Sequence, residues 1–276
     1  MNLREAVLTD LAVESERLDA LVADLLEEGW RTPTPAEGWD VATQIAHLAW
    51  TDEAALAAAT DKEAWDTLVL EALADPEGYV DKSALTGGAV PPAELLARWR
   101  SGRATLAATL RGLPEGTKLP WYGPPMSPTS MATARFMETW AHSLDVHAAL
   151  GAEPEVSDRI RHVAHLGVRT YRFSFAARGL DAPTSEVRVE LTAPSGDLWS
   201  WGPEDADQSV RGSAYDFCLL VTQRIHRDDT DLVAQGRDAA MWLTVAQAFA
   251  GPPGTGRVSR HDVSSLGAGS TTGEVP

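Results

Sequence analysis

The chain has 276 residues, of which 44% are hydrophobic and 23% charged, a balance typical of globular proteins with an ample core. Its formal net charge of −17 at pH 7 disfavours nucleic acids and anionic membranes as partners, because both are negatively charged. The N-terminal segment lacks the basic start and apolar run of a signal peptide, and no window reaches the roughly 18 apolar residues of a membrane span. We therefore expect a cytoplasmic protein.

The first half of the sequence predicts a bundle of helices joined by loops. Apolar residues recur at helical spacing over residues 2–28, and a loop with two prolines follows at 31–39. Asp40 is placed to cap the next helix at its N-terminus. Further helices are predicted at about 61–75, from Ala93 to Arg111, and from the serines and threonines at 127–130 to Leu150, with Gly151 as the stop. We assign residues 1–152 to a helical-bundle domain.

The second half predicts a smaller α+β domain over residues 153–252. A helix is expected at 157–178, and the alternation of Val187, Val189 and Leu191 before the turn sequence PSGD predicts a β-hairpin over 185–202. Helical segments are expected at about 213–225 and 238–250. The remaining residues, 253–276, are rich in Gly, Ser and Pro and are predicted to form a flexible tail.

The stretch METWAHSLDVHAALG, residues 137–151, carries the residues best suited to chemistry. Glu138 and His142 are one helical turn apart, so one helix face can offer two ligands to a metal ion. His47, in the apolar context QIAHLAW, is the candidate third ligand, because a buried imidazole without a partner is costly. Two histidines and one carboxylate leave coordination positions open, as in catalytic zinc and some non-haem iron sites. From spacing alone, a surface ion pair and a core histidine bonded to a carbonyl remain alternatives.

Two segments resemble motifs of the DinB-like metalloprotein superfamily. GWDVATQIAHLAWTDEAAL is similar to its second-helix motif and METWAHSLDVHAALG to its later motif, most closely in the mycothiol-dependent maleylpyruvate isomerases and a related actinobacterial group. The resemblance implies a mainly α fold, with a DinB-like four-helix bundle followed by a smaller α+β domain like a sterol-carrier protein. It also implies that His47, Glu138 and His142 bind a divalent metal, with zinc as the expected ion. Asp145 would orient a ligand, and Arg224 would match an arginine that reaches the active site from the C-terminal domain.

The function implied is that of a metal-dependent enzyme using a low-molecular-weight thiol, mycothiol, to isomerise a small electrophile or transfer the thiol to it. Such a protein needs no nucleophilic cysteine of its own, and Cys218, the single cysteine, lies in the apolar run DFCLLV, which indicates a packing residue. A metal-dependent hydrolase or lyase that activates water, and a non-catalytic small-molecule binding protein, are the alternatives. We expect a monomer or homodimer whose partners are small molecules. The loop around Trp121-Tyr122 and the segment 226–254 depart from the isomerases and leave the substrate open.

Overall fold

The computed structural model describes residues 2–260 and divides into two compact units on either side of the bond between Glu155 and Val156. The first unit is helical and the second combines helices with a four-stranded sheet, which confirms the predicted fold class. None of the helices within residues 2–260 has the length and hydropathy needed to cross a bilayer.

The helices of the first unit are α1 (Leu3–Val22), α2 (Glu27–Trp30), α3 (Val41–Thr60), α4 (Lys62–Ala74), α5 (Tyr79–Gly88), α6 (Pro92–Gly112) and α7 (Pro128–Leu150). The four long helices α1, α3, α6 and α7 form a bundle. Helix α3 packs against α6 and α7, and α1 packs against α7. The core between them is apolar and includes Leu18, Ile45, Trp99 and Val146.

Local signals set the ends of α3 and α7, the two helices that carry the candidate ligands. The side chain of Asp40 accepts a hydrogen bond from the amide of Thr43 at the start of α3, and Ser127 does the same for Ser130 at the start of α7. Gly151 ends α7 in the left-handed conformation, with φ of 63°, which glycine adopts without strain. The predicted caps and stop are thus confirmed.

Helix α5 was not predicted, because its sequence, with the pair Gly87-Gly88, is typical of a turn. The glycines lie against α3 instead. A Cβ atom at Gly87 would be 3.1 Å from Cβ of Ala46, and one at Gly88 would be 3.1 Å from Cα of Thr43. Close packing on α3 therefore outweighs the low helix propensity of glycine.

The second unit surrounds one small sheet with order β2-β1-β3-β4. Its elements are α8 (Arg161–Arg169), α9 (Tyr171–Ala177), β1 (Val187–Thr192), β2 (Leu198–Trp201), β3 (Gln208–Ser213), α10 (Ala214–Val221), β4 (Val233–Gln235) and α11 (Arg237–Val245), with 3-10 turns at 158–160 and 227–229. Strands β1 and β2 pair antiparallel as the predicted hairpin, whereas β3, parallel to β1, and β4 were not predicted. The helix expected at 157–178 is interrupted at Thr170.

Cys218 is a packing residue of the second unit, as predicted. It is fully buried in α10, and its Sγ donates to the carbonyl of Ile160 at 3.4 Å. Burial raises the pKa of the Cys218 thiol well above its usual value, so the reactive thiolate is suppressed. Of the predicted tail, residues 261–276 lie outside the described part of the chain, while Ser259 is buried and donates to Asp229.

Candidate metal centre

Three side chains from α3 and α7 converge at one point of the bundle. Nε2 of His47 lies 3.4 Å from Oε2 of Glu138, and Nε2 of His142 lies 3.3 Å from the same oxygen. Among residues 2–260, these side chains form the group that could hold an ion, with one ligand atom each, all within 4.8 Å of one another. Tetrahedral zinc with bonds of about 2.0–2.2 Å places its ligand atoms roughly 3.4 Å apart. The two separations between histidine nitrogen and carboxylate oxygen suit one such ion.

Gln44 fixes the orientation of His142. Nδ1 of His142 lies 2.5 Å from Oε1 of Gln44, and an amide oxygen only accepts, so Nδ1 donates its proton there and Nε2 is the nitrogen through which a metal ion would be bound. The contacts of the Gln44 amide nitrogen support this assignment of its oxygen and nitrogen atoms. Nε2 of Gln44 donates to the hydroxyl of Thr34, and that hydroxyl donates to the carbonyl of Trp39. Sequence reasoning missed Gln44. The available signal was a polar side chain in an apolar helix, one turn before His47.

His47 has one nitrogen directed at the cluster and one in the apolar interior. Its Nδ1 is buried, and within residues 2–260 no group hydrogen-bonds to it. An imidazole buried in this way loses hydration, so favourable interactions must come through Nε2, which faces Glu138. A cation bound between the two histidines and Glu138 would supply them.

The electrostatics favour an ionised carboxylate at the centre. Burial alone would raise the pKa of Glu138, but the hydrogen bonds from His142 and His47 and their charges outweigh it and hold that pKa well below its usual value. The group is therefore available as an anionic ligand at neutral pH. The ligand cluster can be reached from solvent, because 20% of the Glu138 side chain and 12% of the His142 side chain are exposed.

Two tryptophans lie beside the histidines. Trp39 stacks on His142, with ring centroids 5.9 Å apart and planes 16° from parallel, and its centroid is 5.3 Å from that of His47. Its indole nitrogen donates to Asp81 on α5 at 3.0 Å. Trp50 lies 5.9 Å from His47, centroid to centroid. The indole rings limit the access of water to the imidazoles.

A buried ion pair joins the same two helices. Nε of Arg135 on α7 donates to Oδ1 of Asp52 on α3 at 2.8 Å, and the residues are 1% and 5% exposed. Burial outweighs the attraction of Arg135 and raises the pKa of Asp52. The pair constrains how α3 and α7 can slide past each other, which helps to set His47 opposite Glu138.

Asp145 and Arg224, the other two predicted site residues, are not members of this group. Asp145 is buried in α7, at 2% exposure. Arg224 lies in the second unit just after α10, where its Nη1 donates to the carbonyl of Thr222 at 2.6 Å. His147, on the same helix as His142, donates from Nδ1 to the carbonyl of Ser143 at 2.8 Å. The structure thus brings together His47, Glu138 and His142, and the roles of Asp145 and Arg224 stay predictions.

Both halves of the chain are similar to known protein families. The family model described as the mycothiol maleylpyruvate isomerase N-terminal domain matches residues 11–147, which include the three candidate ligands. A model described as wyosine base formation matches residues 183–235. Two proteins described as uncharacterized, from Mycobacterium tuberculosis strains CDC 1551 / Oshkosh and ATCC 25618 / H37Rv, are each 55% identical over 248 residues, covering 90% of this chain and 96% of theirs.

Two solved structures share the fold. They are the mycothiol-dependent maleylpyruvate isomerase, with a TM-score of 0.56 and 16% identity, and a histidine-to-alanine mutant of it, with a TM-score of 0.58 and 17% identity. Each match covers 85% of this chain and 93% of the other. At these identities the likeness concerns the fold.

Proposed function

Residues 11–147 of this chain belong to the family described as the mycothiol maleylpyruvate isomerase N-terminal domain, and from this premise we propose that the protein is a zinc-dependent enzyme that uses mycothiol to isomerise a small electrophile or to transfer the thiol to it. The single observation that carries the proposal is the convergence of Nε2 of His47 and Nε2 of His142 on one oxygen of Glu138.

The charge of the ligand set suits a thiol. Two neutral imidazoles and one carboxylate carry a single negative charge, so one unit of a dication's charge stays uncompensated and attracts an anion. When bound, zinc would act as a Lewis acid that favours the thiolate near neutral pH. Gln44 keeps Nε2 of His142 directed at the cluster, and Trp39 and Trp50 restrict water beside the imidazoles. Glu138 remains ionised and holds no proton that a thiolate could take up.

Asp145 and Arg224 complete the proposal. Asp145 would help to orient a metal ligand, as carboxylates near metal ligands do. Arg224 would supply a positive charge for an anionic group of the thiol or substrate.

The reactive sulfur would come from the added thiol and not from Cys218, because burial raises the pKa of Cys218. Cys218→Ala is expected to leave the mycothiol-dependent rate unchanged. A folded Cys218→Ala variant that has lost this rate would contradict the prediction.

The proposal is tested by metal content and thiol dependence measured on the same full-length preparations. We expect one zinc per chain, and loss of both zinc and turnover in His47→Ala, Glu138→Gln and His142→Ala. His147→Ala is the matched control, because among residues 2–260 the hydrogen-bond partner of its ring is a backbone carbonyl of its own helix. This variant should keep its zinc. Turnover of an electrophile panel should require mycothiol. Zinc-free protein, or zinc-dependent product formation without any thiol, would overturn the proposal, and the latter would indicate activation of water.

A further inference from the structure

A cleft of about 570 Å³ lies in the first unit, beside the metal-ligand cluster. Helices α3, α4, α5 and α6 all contribute to its lining. Its walls are mainly apolar and include Trp50, Leu68, Ala74, Tyr79 and Val90. This volume and lining are those of sites that hold small organic molecules.

Trp50 connects the cleft to the candidate metal centre. Its ring centroid lies 5.3 Å from that of Tyr79, with the rings edge to face, and 5.9 Å from that of His47. The indole is therefore a wall of the cleft and a direct neighbour of a candidate ligand. A molecule seated against Trp50 lies one side chain away from the cluster.

The charges around the cleft disfavour an anionic ligand. Arg98 is held by Glu53 through two hydrogen bonds of 2.6 Å each, so its charge is already compensated. The other charged lining residues are Glu71, Asp75 and Lys82, which leave an excess of one carboxylate. A carboxylate ligand would meet repulsion here, whereas an apolar ring would gain burial against Trp50.

We propose that this cleft binds the apolar, ring-containing body of the electrophilic substrate, and that the substrate carries no carboxylate in this part. The assignment of the bound molecule as the substrate rests on the proposed function. The preference for uncharged or cationic ring compounds rests on the cleft alone.

Binding is tested on the full chain after zinc has been removed with a chelator, and without thiol, so that no open metal position can bind a carboxylate. Three probes that share one body are used: phenylbutanol, phenylbutylamine and phenylbutyrate. Isothermal titration should detect the alcohol and the amine, with phenylbutyrate weaker by about tenfold, the effect of one repulsive charge contact near a protein surface. Equal or tighter binding of phenylbutyrate, or no binding of any probe, would overturn the inference.

Matched variants locate the probes. Ala74→Trp fills the cleft and should abolish binding, whereas Leu73→Trp, at a neighbouring position that is 70% exposed and outside the lining, should not. Glu71→Gln should bring phenylbutyrate closer to phenylbutanol in affinity, and Glu63→Gln, on the same helix outside the cleft, should not. Unchanged binding in Ala74→Trp would show that the probes bind elsewhere.

Competition then connects the cleft to turnover. Phenylbutanol should raise KM for the electrophile without lowering kcat, and it should leave KM for mycothiol unchanged; competition against the thiol instead would overturn the assignment to the electrophile. Because the titration involves neither thiol nor turnover, a failure to bind probes counts against the cleft alone. Probe binding without thiol-dependent turnover counts against the proposed function alone.

Discussion

Gln44 offers a test of whether the geometry around His142 serves metal binding. Gln44 is fully buried on α3, and its Oε1 is the partner of Nδ1 of His142 at 2.5 Å. Gln44→Leu keeps much of the side-chain volume and removes the acceptor. The variant leaves all three candidate ligands in place, so a change in zinc affinity reports on the orientation of the His142 ring.

The expected magnitude follows from the bonds that are lost. Removing a partner that orients a metal-bound histidine lowers metal affinity by about 10–100-fold, which corresponds to about 1.4–2.7 kcal/mol. In the metal-free protein, Nδ1 of His142 and the hydroxyl of Thr34 lose their bonds to Gln44, and an unpaired buried group costs about 1–3 kcal/mol of folding stability. Both losses are large enough to measure.

Competition with a chromophoric zinc chelator at fixed pH measures the affinity, and urea unfolding of the metal-free protein measures the stability. Thr133→Val is the control, because it removes a buried hydrogen bond within α7, to the carbonyl of Thr129, away from the cluster. We expect Thr133→Val to lose stability but keep its zinc affinity. If Gln44→Leu bound zinc as tightly as the unchanged protein, the role assigned to Gln44 would be wrong.

Two further predictions concern ion pairs of the bundle. Arg135→Met leaves Asp52 buried without its cation and should lower the free energy of unfolding by about 3–5 kcal/mol. The double variant Arg135→Met, Asp52→Leu should recover most of this loss, as measured by urea titration. A double variant no more stable than Arg135→Met would contradict the prediction. The hydrogen bond from Arg100, opposed by burial and reinforced by the charge of Arg103, lowers the pKa of Asp19. The unchanged protein should therefore have a higher free energy of unfolding than Asp19→Asn above about pH 4, and this difference should decline as pH falls through the lowered pKa. If the urea midpoints of the two proteins differed equally at neutral pH and at about pH 3, the prediction would be refuted.

The ligand-bearing helices could be predicted because their signals are local. Asp40, Ser127 and Gly151 mark the ends of α3 and α7 through contacts with residues close in sequence. The spacing of Glu138 and His142 then places both on one face of a single helix. The hairpin of β1 and β2 was predicted for the same reason, since alternation and a turn are contained in one short segment.

The features that were missed depend on contacts between distant parts of the chain. Gln44 and His142 are 98 residues apart, and no sequence pattern shows that their side chains meet. Gly87 and Gly88 are helical because they fit closely against α3, which the sequence alone shows only as a pair of turn-forming residues. Strand β3 is short and polar, and its parallel pairing with β1 is a long-range contact.

We propose that His47, Glu138 and His142 hold one zinc ion with a position open to the sulfur of a thiol. X-ray absorption at the zinc edge, recorded on the reconstituted full chain before and after adding mycothiol, tests it most directly. We expect nitrogen and oxygen neighbours at about 2.0–2.2 Å before addition, and one new sulfur neighbour at about 2.3 Å afterwards. A zinc shell that mycothiol leaves unchanged would contradict it.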